Sequence, residues 1–359
     1  MKDVKDCTFT YKPVAPDLLR CLDAGQQNES RSVTETPHPQ TTTSTNTTSN
    51  TTTSTTAWAF AGQGSQVVGM GRDLYEAFPQ VRPIFDSPAA GFDLKALCFE
   101  GPAHKLADTR YTQACMAAFA AAVVRVLQDA GHAPAAALGL SLGEYSALHA
   151  AGVFTADTLL ALLGYRGAIM ADASTQPSRM TAVFGLADEQ VESIVAATAS
   201  STKKVVSCTN YNCPGQVVIG GDQAAVLAAE QALKAAGAKR CIQLNTSGPF
   251  HTALMQPAGQ LLEARLATTR LAPQQLPVIF NTTGWAADNS QIPALLVKQI
   301  SSPVRFAQSV RALEAAGITR IVEIGPGKVL AGLIKKTAPS IQTISLETAK
   351  DLTSFMEDG

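Results

Sequence analysis

The sequence lacks the marks of several broad classes of protein. Its 28 Lys and Arg balance 29 Asp and Glu to a net charge of −1, and no basic run marks a nucleic-acid surface. Its seven cysteines are scattered without a Cys-x-x-Cys pair, which argues against a disulfide framework and against a zinc site. We therefore expect no nucleic-acid partner and no bound metal.

Long apolar runs are also missing. No stretch reaches the ~18–20 uncharged residues that a membrane-spanning helix needs. The nearest, Ala114–Leu127, is short and contains Arg125, so it predicts a buried helix. Residues 1–5 have none of the apolar character of a secretion signal. We expect no membrane association and a cytoplasmic location.

The first part of the chain has little that could form a core. Residues 40–56 are almost entirely Thr, Ser and Asn, which cannot offset the backbone entropy lost on ordering. We predict a disordered, low-complexity tail over residues 1–56. Tyr11–Leu22 has the length of a short docking helix, although a tail without function is the favoured interpretation.

From Ala57 onward, short apolar runs alternate with segments of helical periodicity, which is typical of an α/β protein. One of these runs, over 276–281, predicts a strand. Residues 180–247 instead follow the order strand, helix, strand, strand, helix, strand of a ferredoxin-like unit. We predict a large α/β-hydrolase-like domain over 57–179 and 248–347, with this small ferredoxin-like subdomain inserted and a C-terminal tail at 348–359. A cleft between the two lobes is the expected place for a ligand.

A nucleophile motif lies at the start of a predicted helix. Residues 139–143 read Gly-Leu-Ser-Leu-Gly, after a predicted strand at 135–140 and before a predicted helix at 142–151. The pattern also arises by chance in turns, but this context is the one in which a serine projects from a tight bend. We therefore predict that Ser141 is a nucleophile and that the Leu142 N–H faces a developing oxyanion.

The base that serves this serine can be sought among only five histidines. His38 lies in the polar tail, His132 precedes the strand that leads to the serine, and His149 lies about 12 Å along the helix behind it. These positions leave His104 and His251. His251 is favoured because it follows a predicted strand in a Gly-Pro loop, where catalytic groups are often displayed.

Six motifs have the order and spacing of one known family over nearly 300 residues. They are Ala59–Gln66, Gly139–Tyr145, Tyr165–Gly167, Asn210–Gly221, Gly248–His251 and Val322–Leu330. The Gly62-Gln63-Gly64 loop does not continue as a dinucleotide-binding fingerprint, because Val67 stands at its third glycine position. Through these motifs, the chain from about Ala57 to Glu347 resembles malonyl-CoA:acyl carrier protein transacylase and the related acyltransferase domains of polyketide synthases.

The resemblance implies that Ser141 is the nucleophile and that His251 is its general base and then its general acid. It implies an oxyanion hole formed by the Gln63 region and the Leu142 N–H. It also implies that Arg166 binds the malonyl carboxylate and that the main-chain carbonyl of Gln299 orients the base. Further implied substrate contacts are Asn210 and Asn212, which match cleft-lining positions, and Phe250, whose ring limits room at the malonyl α-carbon.

Arg166 has two interpretations. A guanidinium offers a carboxylate two parallel N–H groups, so a buried Arg166 selects acyl groups that end in a carboxylate. Without the resemblance it reads as a surface cation on a helix over 156–172. The chain departs from the family at Leu140, where the usual residue is His, and this leaves Arg166 to supply more of the recognition.

The resemblance implies transfer of a malonyl group from malonyl-CoA to the phosphopantetheine thiol of acyl carrier protein through an acyl-serine. It implies no cofactor beyond these substrates, and a monomer or a part of a synthase assembly. Three alternatives stay open: a polyketide acyltransferase with another extender unit, a thioesterase or esterase that uses the same serine, and a non-catalytic carrier-protein docking module.

Overall fold

The computed structural model of the chain describes residues 55–357. The nine strands of this range are β1 Thr56–Phe60, β2 Ala136–Gly139, β3 Ser178–Phe184, β4 Val206–Cys213, β5 Gln216–Asp222, β6 Arg240–Gln243, β7 Val278–Ile279, β8 Arg320–Ile324 and β9 Gln342–Leu346. Its helices are α1 Arg72–Ala77, α2 Arg82–Phe85, α3 Leu94–Glu100, α4 Ala103–Leu106, α5 Thr109–Asp129, α6 Gly143–Ala150, α7 Ala156–Asp172, α8 Asp188–Thr202, α9 Gln223–Ala235, α10 Gln256–Leu266, α11 Ile292–Gln299, α12 Phe306–Ala315, α13 Val329–Thr337 and α14 Ala349–Glu357. Short 3-10 turns lie at Pro79–Val81, Pro88–Ala90, Ala253–Met255 and Asn289–Gln291.

Five strands form a parallel sheet in the order β7-β2-β1-β8-β9. The central strand β1 is apolar and buried from Ala57 to Phe60, as expected for a strand covered by helices on both faces. All carboxyl ends of a parallel sheet lie at one edge. The loops that follow β7, β2 and β1 are therefore neighbours in space, in the place where open α/β sheets bind ligands.

Helix α5 is buried on nearly every side, in agreement with its apolar run from Ala114 to Val124. It packs along α7 at close range. A Cβ built on Gly167 of α7 would lie only 2.5 Å from the carbonyl oxygen of Thr109, so glycine is required for this approach. The contact brings the first turns of α5 next to Arg166.

The second sheet is antiparallel, with four strands in the order β4-β5-β3-β6. Its elements follow one another as β3, α8, β4, β5, α9 and β6, and a separate apolar cluster fills the space between this sheet and its two helices. The Tyr211 N–H donates to the Val304 carbonyl and the Val304 N–H donates to the Thr209 carbonyl, both at 2.8 Å. The small lobe is thus joined to the parallel-sheet region beside the cleft.

Several sequence predictions can be compared with these elements. The helix predicted over 156–172 is confirmed by α7, while the strand predicted over 276–281 is confined to Val278–Ile279. Residues 349–357, which the sequence pattern assigned to a C-terminal tail, form α14 with Leu352 fully buried. Leu352, Phe355 and Met356 are spaced three and four residues apart, so a short amphipathic stripe is enough to dock this helix against the core.

The predictions of a disordered tail, of no membrane association and of no bound metal concern features outside the two sheets. The tail predicted over residues 1–56 lies almost wholly outside the described residues, and so does Tyr11–Leu22. No helix between residues 55 and 357 is long and apolar enough to cross a membrane. Within the same range, no group of three His, Cys, Asp or Glu side chains is placed to hold a metal ion.

Candidate active site

Ser141 lies on a sharp bend between β2 and α6. Its φ angle is 54°, in the left-handed region that a residue with a side chain adopts at a cost of about 1–2 kcal/mol. The bend requires glycine on both sides: a Cβ on Gly139 would lie 2.0 Å from the carbonyl carbon of Gly143, and one on Gly143 would lie 2.3 Å from Phe60 O. These close approaches hold the hydroxyl above the carboxyl edge of the sheet.

His251 lies against this hydroxyl. Its Nε2 is 2.8 Å from Ser141 Oγ, and its Nδ1 is 2.8 Å from the main-chain carbonyl oxygen of Gln299. A carbonyl can only accept, so Nδ1 carries the proton and Nε2 presents its lone pair to the serine. The ring is held in place from its backbone as well, because the His251 N–H donates to the Ile300 carbonyl at 3.1 Å.

The other described histidines lie elsewhere. His104 is exposed on α4, His132 packs against the Phe355 ring, and His149 Nδ1 bonds the Phe154 carbonyl oxygen at 2.8 Å. Of the two candidates that the sequence leaves open, the structure brings His251 to Ser141.

Burial keeps the His251 imidazole neutral. Removal from water is the largest cause and the positive charge of Arg166 acts in the same direction, and together they lower its pKa to about 4. Since the ordinary value is about 6.5, Nε2 of the free protein is unprotonated at neutral pH and available as a proton acceptor.

Arg166 is a buried guanidinium, not a surface cation. It is 1% exposed, and its Nη2 donates to Gln299 Oε1 at 2.9 Å and lies 3.4 Å from Ser141 Oγ. Its Nη1 donates to Gln113 Oε1 at 2.5 Å, while its Nε has no partner among residues 55–357. No carboxylate in this range forms an ion pair with it.

Glu144 is the carboxyl group whose pKa is coupled to the charge of Arg166, but burial favours its protonated, neutral form. Full burial raises the pKa of Glu144 to about 8, so its carboxyl is mainly protonated at pH 7. Burial also lowers the pKa of Arg166, yet a guanidinium keeps its proton under all ordinary conditions. The site therefore contains a desolvated cation without a matching internal anion.

Asn281, which directly follows β7 and Phe280, holds the bend at Ser141 in place through hydrogen bonds. Its Oδ1 accepts from the Ser141 N–H at 2.8 Å, and its Nδ2 donates to the Gly139 carbonyl at 2.7 Å. Its own N–H donates to Glu144 Oε2 at 2.5 Å. Because Asn281 occupies the Ser141 N–H, that group is not available to a ligand.

A cavity of about 480 Å³ opens above Ser141, between the two lobes. Leu142 borders it, and within residues 55–357 the Leu142 N–H has no acceptor. Gln63 borders it from the loop after β1, with its Oε1 accepting from the Thr109 hydroxyl at 2.8 Å. An unengaged N–H at the start of α6 is a ready donor for an anion.

The other residues singled out in the sequence also line this cavity. They are Leu140, Phe250, Asn210 and Asn212. Asn212 is 9% exposed and its Oδ1 has no partner among the described residues, whereas Asn210 Oδ1 accepts from the Thr209 hydroxyl at 2.9 Å. The walls between them are apolar, from Met170, Met180, Val218 and Leu244.

Four residues that support this geometry are absent from the sequence predictions: Gln113, Thr109, Asn281 and Glu144. Gln113 left a signal, since it is an amide directly before the apolar run of α5. Asn281 left a weaker one, a polar residue after a short apolar strand that ends beside the serine strand.

A serine on a strand-to-helix bend, with a neutral imidazole on its hydroxyl and a free N–H beside it, is the arrangement used for covalent acyl chemistry. A family model described as acyl transferase domain matches residues 57–356. The chain belongs to this family.

Similar proteins cover most of the chain. The malonyl CoA-acyl carrier protein transacylases of Escherichia coli K12 and Bacillus subtilis 168 are 39% and 38% identical, over 83% and 80% of this chain and 97% and 92% of their own lengths. The solved malonyl-CoA:acyl carrier protein transacylase of Xanthomonas oryzae pv. oryzae is 41% identical with a TM-score of 0.81, covering 85% of this chain and 98% of that one. A malonyl-transacylase solved in complex with a type II polyketide synthase acyl-carrier protein is 38% identical, also with a TM-score of 0.81, covering 85% of this chain and 99% of that one.

Proposed function

We propose that this chain is an [acyl-carrier-protein] S-malonyltransferase, which moves malonyl from malonyl-CoA to the phosphopantetheine thiol of an acyl carrier protein. The observation that supports it best is the pairing of two features at one place. A hydroxyl hydrogen-bonded to a neutral imidazole lies 3.4 Å from a buried guanidinium that has no carboxylate partner within residues 55–357. The hydroxyl accepts an acyl group, and the guanidinium accepts the far end of an acyl group that carries a negative charge.

In the first step, His251 Nε2 takes the proton of Ser141 as Oγ attacks the thioester carbonyl of malonyl-CoA. The electron pair of the C=O bond moves to oxygen, and the oxyanion is stabilised by the Leu142 N–H and by donors of the Gln63 loop. Collapse of the intermediate re-forms the C=O bond and breaks the C–S bond. The CoA sulfur leaves with the proton that Nε2 acquired, and malonyl remains as an ester on Oγ.

The second step reverses the first with a new thiol. The phosphopantetheine thiol of the carrier protein gives its proton to His251 Nε2 and attacks the ester carbonyl of malonyl-Ser141. Collapse breaks the C–Oγ bond, and Nε2 returns the proton to Oγ. Only side chains and the two substrates take part, so the proposed chemistry requires no cofactor.

Selection of malonyl over acetyl is assigned to Arg166. Burying an ion without a partner is costly, by several kcal/mol for a charged group, and a carboxylate from the substrate would supply the missing partner. Acetyl has no such group. Phe250 faces the same cavity and limits branched units, although one methyl group is worth only about 1–3 kcal/mol.

Asn210 and Asn212 are proposed to contact the thioester arm of the substrates. The Oδ1 of Asn212 lacks a partner within residues 55–357 and lies at the cavity, so it suits an amide N–H of the pantetheine chain. Leu140 leaves one wall of the cavity apolar where the family usually has a histidine. On this account Arg166 holds the substrate carboxylate without help from that position.

The finer description of the fold is part of the proposal. We describe the parallel-sheet region as an α/β-hydrolase-like domain over 57–179 and 248–347, and residues 180–247 as a ferredoxin-like subdomain. The order β6-β3-β5-β4 places the two central strands of the second sheet as such a βαββαβ unit would. A cytoplasmic location stays a prediction, supported by the five free cysteines of the described residues.

The competing function is a thioesterase or esterase on the same serine. The unpaired guanidinium favours transfer of a carboxylated acyl group, but it does not by itself stop water from attacking the ester. The two are separated by incubating the protein with malonyl-CoA and measuring its intact mass over time. We expect a malonyl adduct on the wild type that persists without a thiol acceptor, and none on Ser141→Ala. Rapid release of free malonate with no adduct would favour hydrolysis.

A further inference from the structure

Arg166 is held by neutral groups at both of its terminal nitrogens. The carboxamide oxygens of Gln113 and Gln299 accept from Nη1 and Nη2, at 2.5 and 2.9 Å. The Tyr145 ring lies under the guanidinium, with Cζ 5.3 Å from its centroid. Each contact restricts the direction of the guanidinium, and none of them carries a negative charge.

The orientation of the Gln113 amide is determined by its other neighbours. Its Nε2 donates to the Thr109 hydroxyl oxygen at 3.1 Å and lies 3.5 Å from the Met170 sulfur, while the Thr109 hydroxyl donates to Gln63 Oε1. Both Nε2 contacts require a donor, so Oε1 must be the atom that faces Arg166. Gln113 is 1% exposed, and water cannot replace it readily in this role.

We propose that Gln113 is a positioning residue that sets acyl selectivity, because it orients Arg166 while leaving the guanidinium charge unpaired for the substrate. This inference rests on the proposed malonyl transfer. A carboxylate at the same place would hold the guanidinium equally well by geometry. That carboxylate would also neutralise the guanidinium charge, and an incoming malonyl carboxylate would then be the unpaired charge in the cavity.

The same reasoning explains why position 113, directly before the apolar run of α5, is an amide. An aliphatic side chain there would leave Nη1 without an acceptor in a buried site, which is costly for a charged donor. A glutamate would satisfy Nη1 and remove the selectivity. Among side chains of this length, glutamine meets both requirements.

The test compares Gln113→Glu, which adds a charge of nearly identical shape, with Gln113→Met, which removes the acceptor and adds no charge. Gln231→Glu on the exposed face of α9 controls for an added charge alone. Each protein is mixed with equal malonyl-CoA and acetyl-CoA, and the two acyl-enzymes are counted by intact mass in the first turnover. Thermal unfolding confirms that each variant is folded.

We expect Gln113→Glu to lower the malonyl-to-acetyl ratio by about 100-fold, the size of a charged hydrogen-bonded pair. Gln113→Met should slow acylation by malonyl-CoA, because the guanidinium loses its orientation, and leave acetyl acylation unchanged. The ratio should therefore fall much less than in Gln113→Glu, and malonyl should stay preferred. Gln231→Glu should match the wild type. If Gln113→Glu does not fold, Gln299→Glu places the same charge against Nη2 and should lower the ratio in the same way.

Two outcomes separate this inference from the proposed function. If the wild type forms no malonyl adduct, the function itself fails. If the wild type prefers malonyl and a folded Gln113→Glu keeps the same ratio, malonyl transfer stands and the selectivity role of Gln113 is overturned. An equal loss of ratio in Gln113→Met would also overturn it, since the effect would then come from lost geometry and not from charge.

Discussion

Two arginines, Arg166 and the partly buried Arg179, show how the two lobes differ. In the small lobe, Arg179 on β3 forms an ion pair with Glu230 at 2.6 Å and also donates to Gln243 Oε1 at 2.5 Å. At the edge of the parallel sheet, Arg166 is more deeply buried and has only neutral partners within residues 55–357.

The difference fits a structural role for Arg179 and the binding role proposed for Arg166. A paired arginine contributes to the fold that surrounds it and has no remaining charge to offer. An unpaired one destabilises the empty site and is stabilised when an anion enters. In the backbone, Ser141 and His251 adopt positive φ angles of 54° and 63° at the parallel-sheet edge, whereas Lys203, at 58° in the small lobe, only ends helix α8.

Of the changes considered, Arg166→Ala should have the largest effect on acyl selectivity. Without the guanidinium, the malonyl carboxylate has no partner in a desolvated cavity, while acetyl loses nothing. We expect the malonyl-to-acetyl ratio of first-turnover acylation to fall by about 10²- to 10³-fold, equivalent to roughly 3–4 kcal/mol. An unchanged ratio in a competition between the two CoA esters would remove Arg166 from substrate recognition.

Arg179→Ala should act on stability instead. It leaves Glu230 buried without its cation, so we expect a loss of about 2–3 kcal/mol in the free energy of unfolding. The malonyl-to-acetyl ratio should stay at the wild-type value, because the paired arginine makes no contact with the cavity residues around Ser141. Urea unfolding and the same competition assay measure the two effects side by side. A shift in selectivity would contradict the division between the lobes.

The pH dependence of acylation should report the buried imidazole. The pKa of His251 is lowered to about 4, so Nε2 stays unprotonated from neutral pH down to about pH 5. We expect kcat/KM for malonyl-CoA to be flat over that range and to fall about tenfold per pH unit below pH 4, as long as the protein remains folded. An inflection near 6.5 would place the imidazole in a solvated environment.

The same shift affects stability with a defined sign. Between about pH 6.5 and 4 the unfolded chain binds a proton at His251 that the folded chain does not, so the stabilising contribution is lost as the pH falls through this window. Its size is of the order of 3 kcal/mol. His251→Ala should remove this part of the pH dependence, as measured by urea unfolding at several pH values.

Glu144→Gln should also change the pH dependence of stability, and the wild-type dependence that it removes has the opposite sign to that of His251. The folded pKa is raised to about 8, so the folded chain keeps a proton that the unfolded chain loses above about 4.5, and stability falls as the pH rises from 4.5 to 8. A neutral amide has no such dependence. Relative to the wild type, the variant should be more stable at pH 8 than at pH 5 by about 3–4 kcal/mol, the size that a shift from 4.5 to about 8 implies over this range. A difference that does not change with pH would show that Glu144 is ionised in the fold.

Much of the site could be predicted because its chemistry is local in sequence. The two glycines and the serine of the bend are adjacent, and elimination among five histidines left only His104 and His251. The resemblance to a family added Arg166 and Gln299. Periodicity located α7 to the residue, because that helix has a long apolar stripe.

The remainder depended on contacts between distant segments. Asn281 reaches the bend only because β7 pairs with β2, and Gln113 reaches Arg166 only because α5 and α7 pack closely. Neither contact has a local pattern. The helix α14 was missed for a different reason, since three apolar residues in nine are a weak signal until a core is there to receive them.

The central claim is that Ser141 carries malonyl from one thiol to another, and a two-stage measurement tests it most directly. The malonyl-enzyme is isolated after reaction with malonyl-CoA and then mixed with an acyl carrier protein that bears phosphopantetheine. The account predicts that malonyl leaves Ser141 and appears on the carrier protein, as followed by intact mass of both proteins. Release of the group as free malonate, with the carrier protein left unmodified, would contradict it.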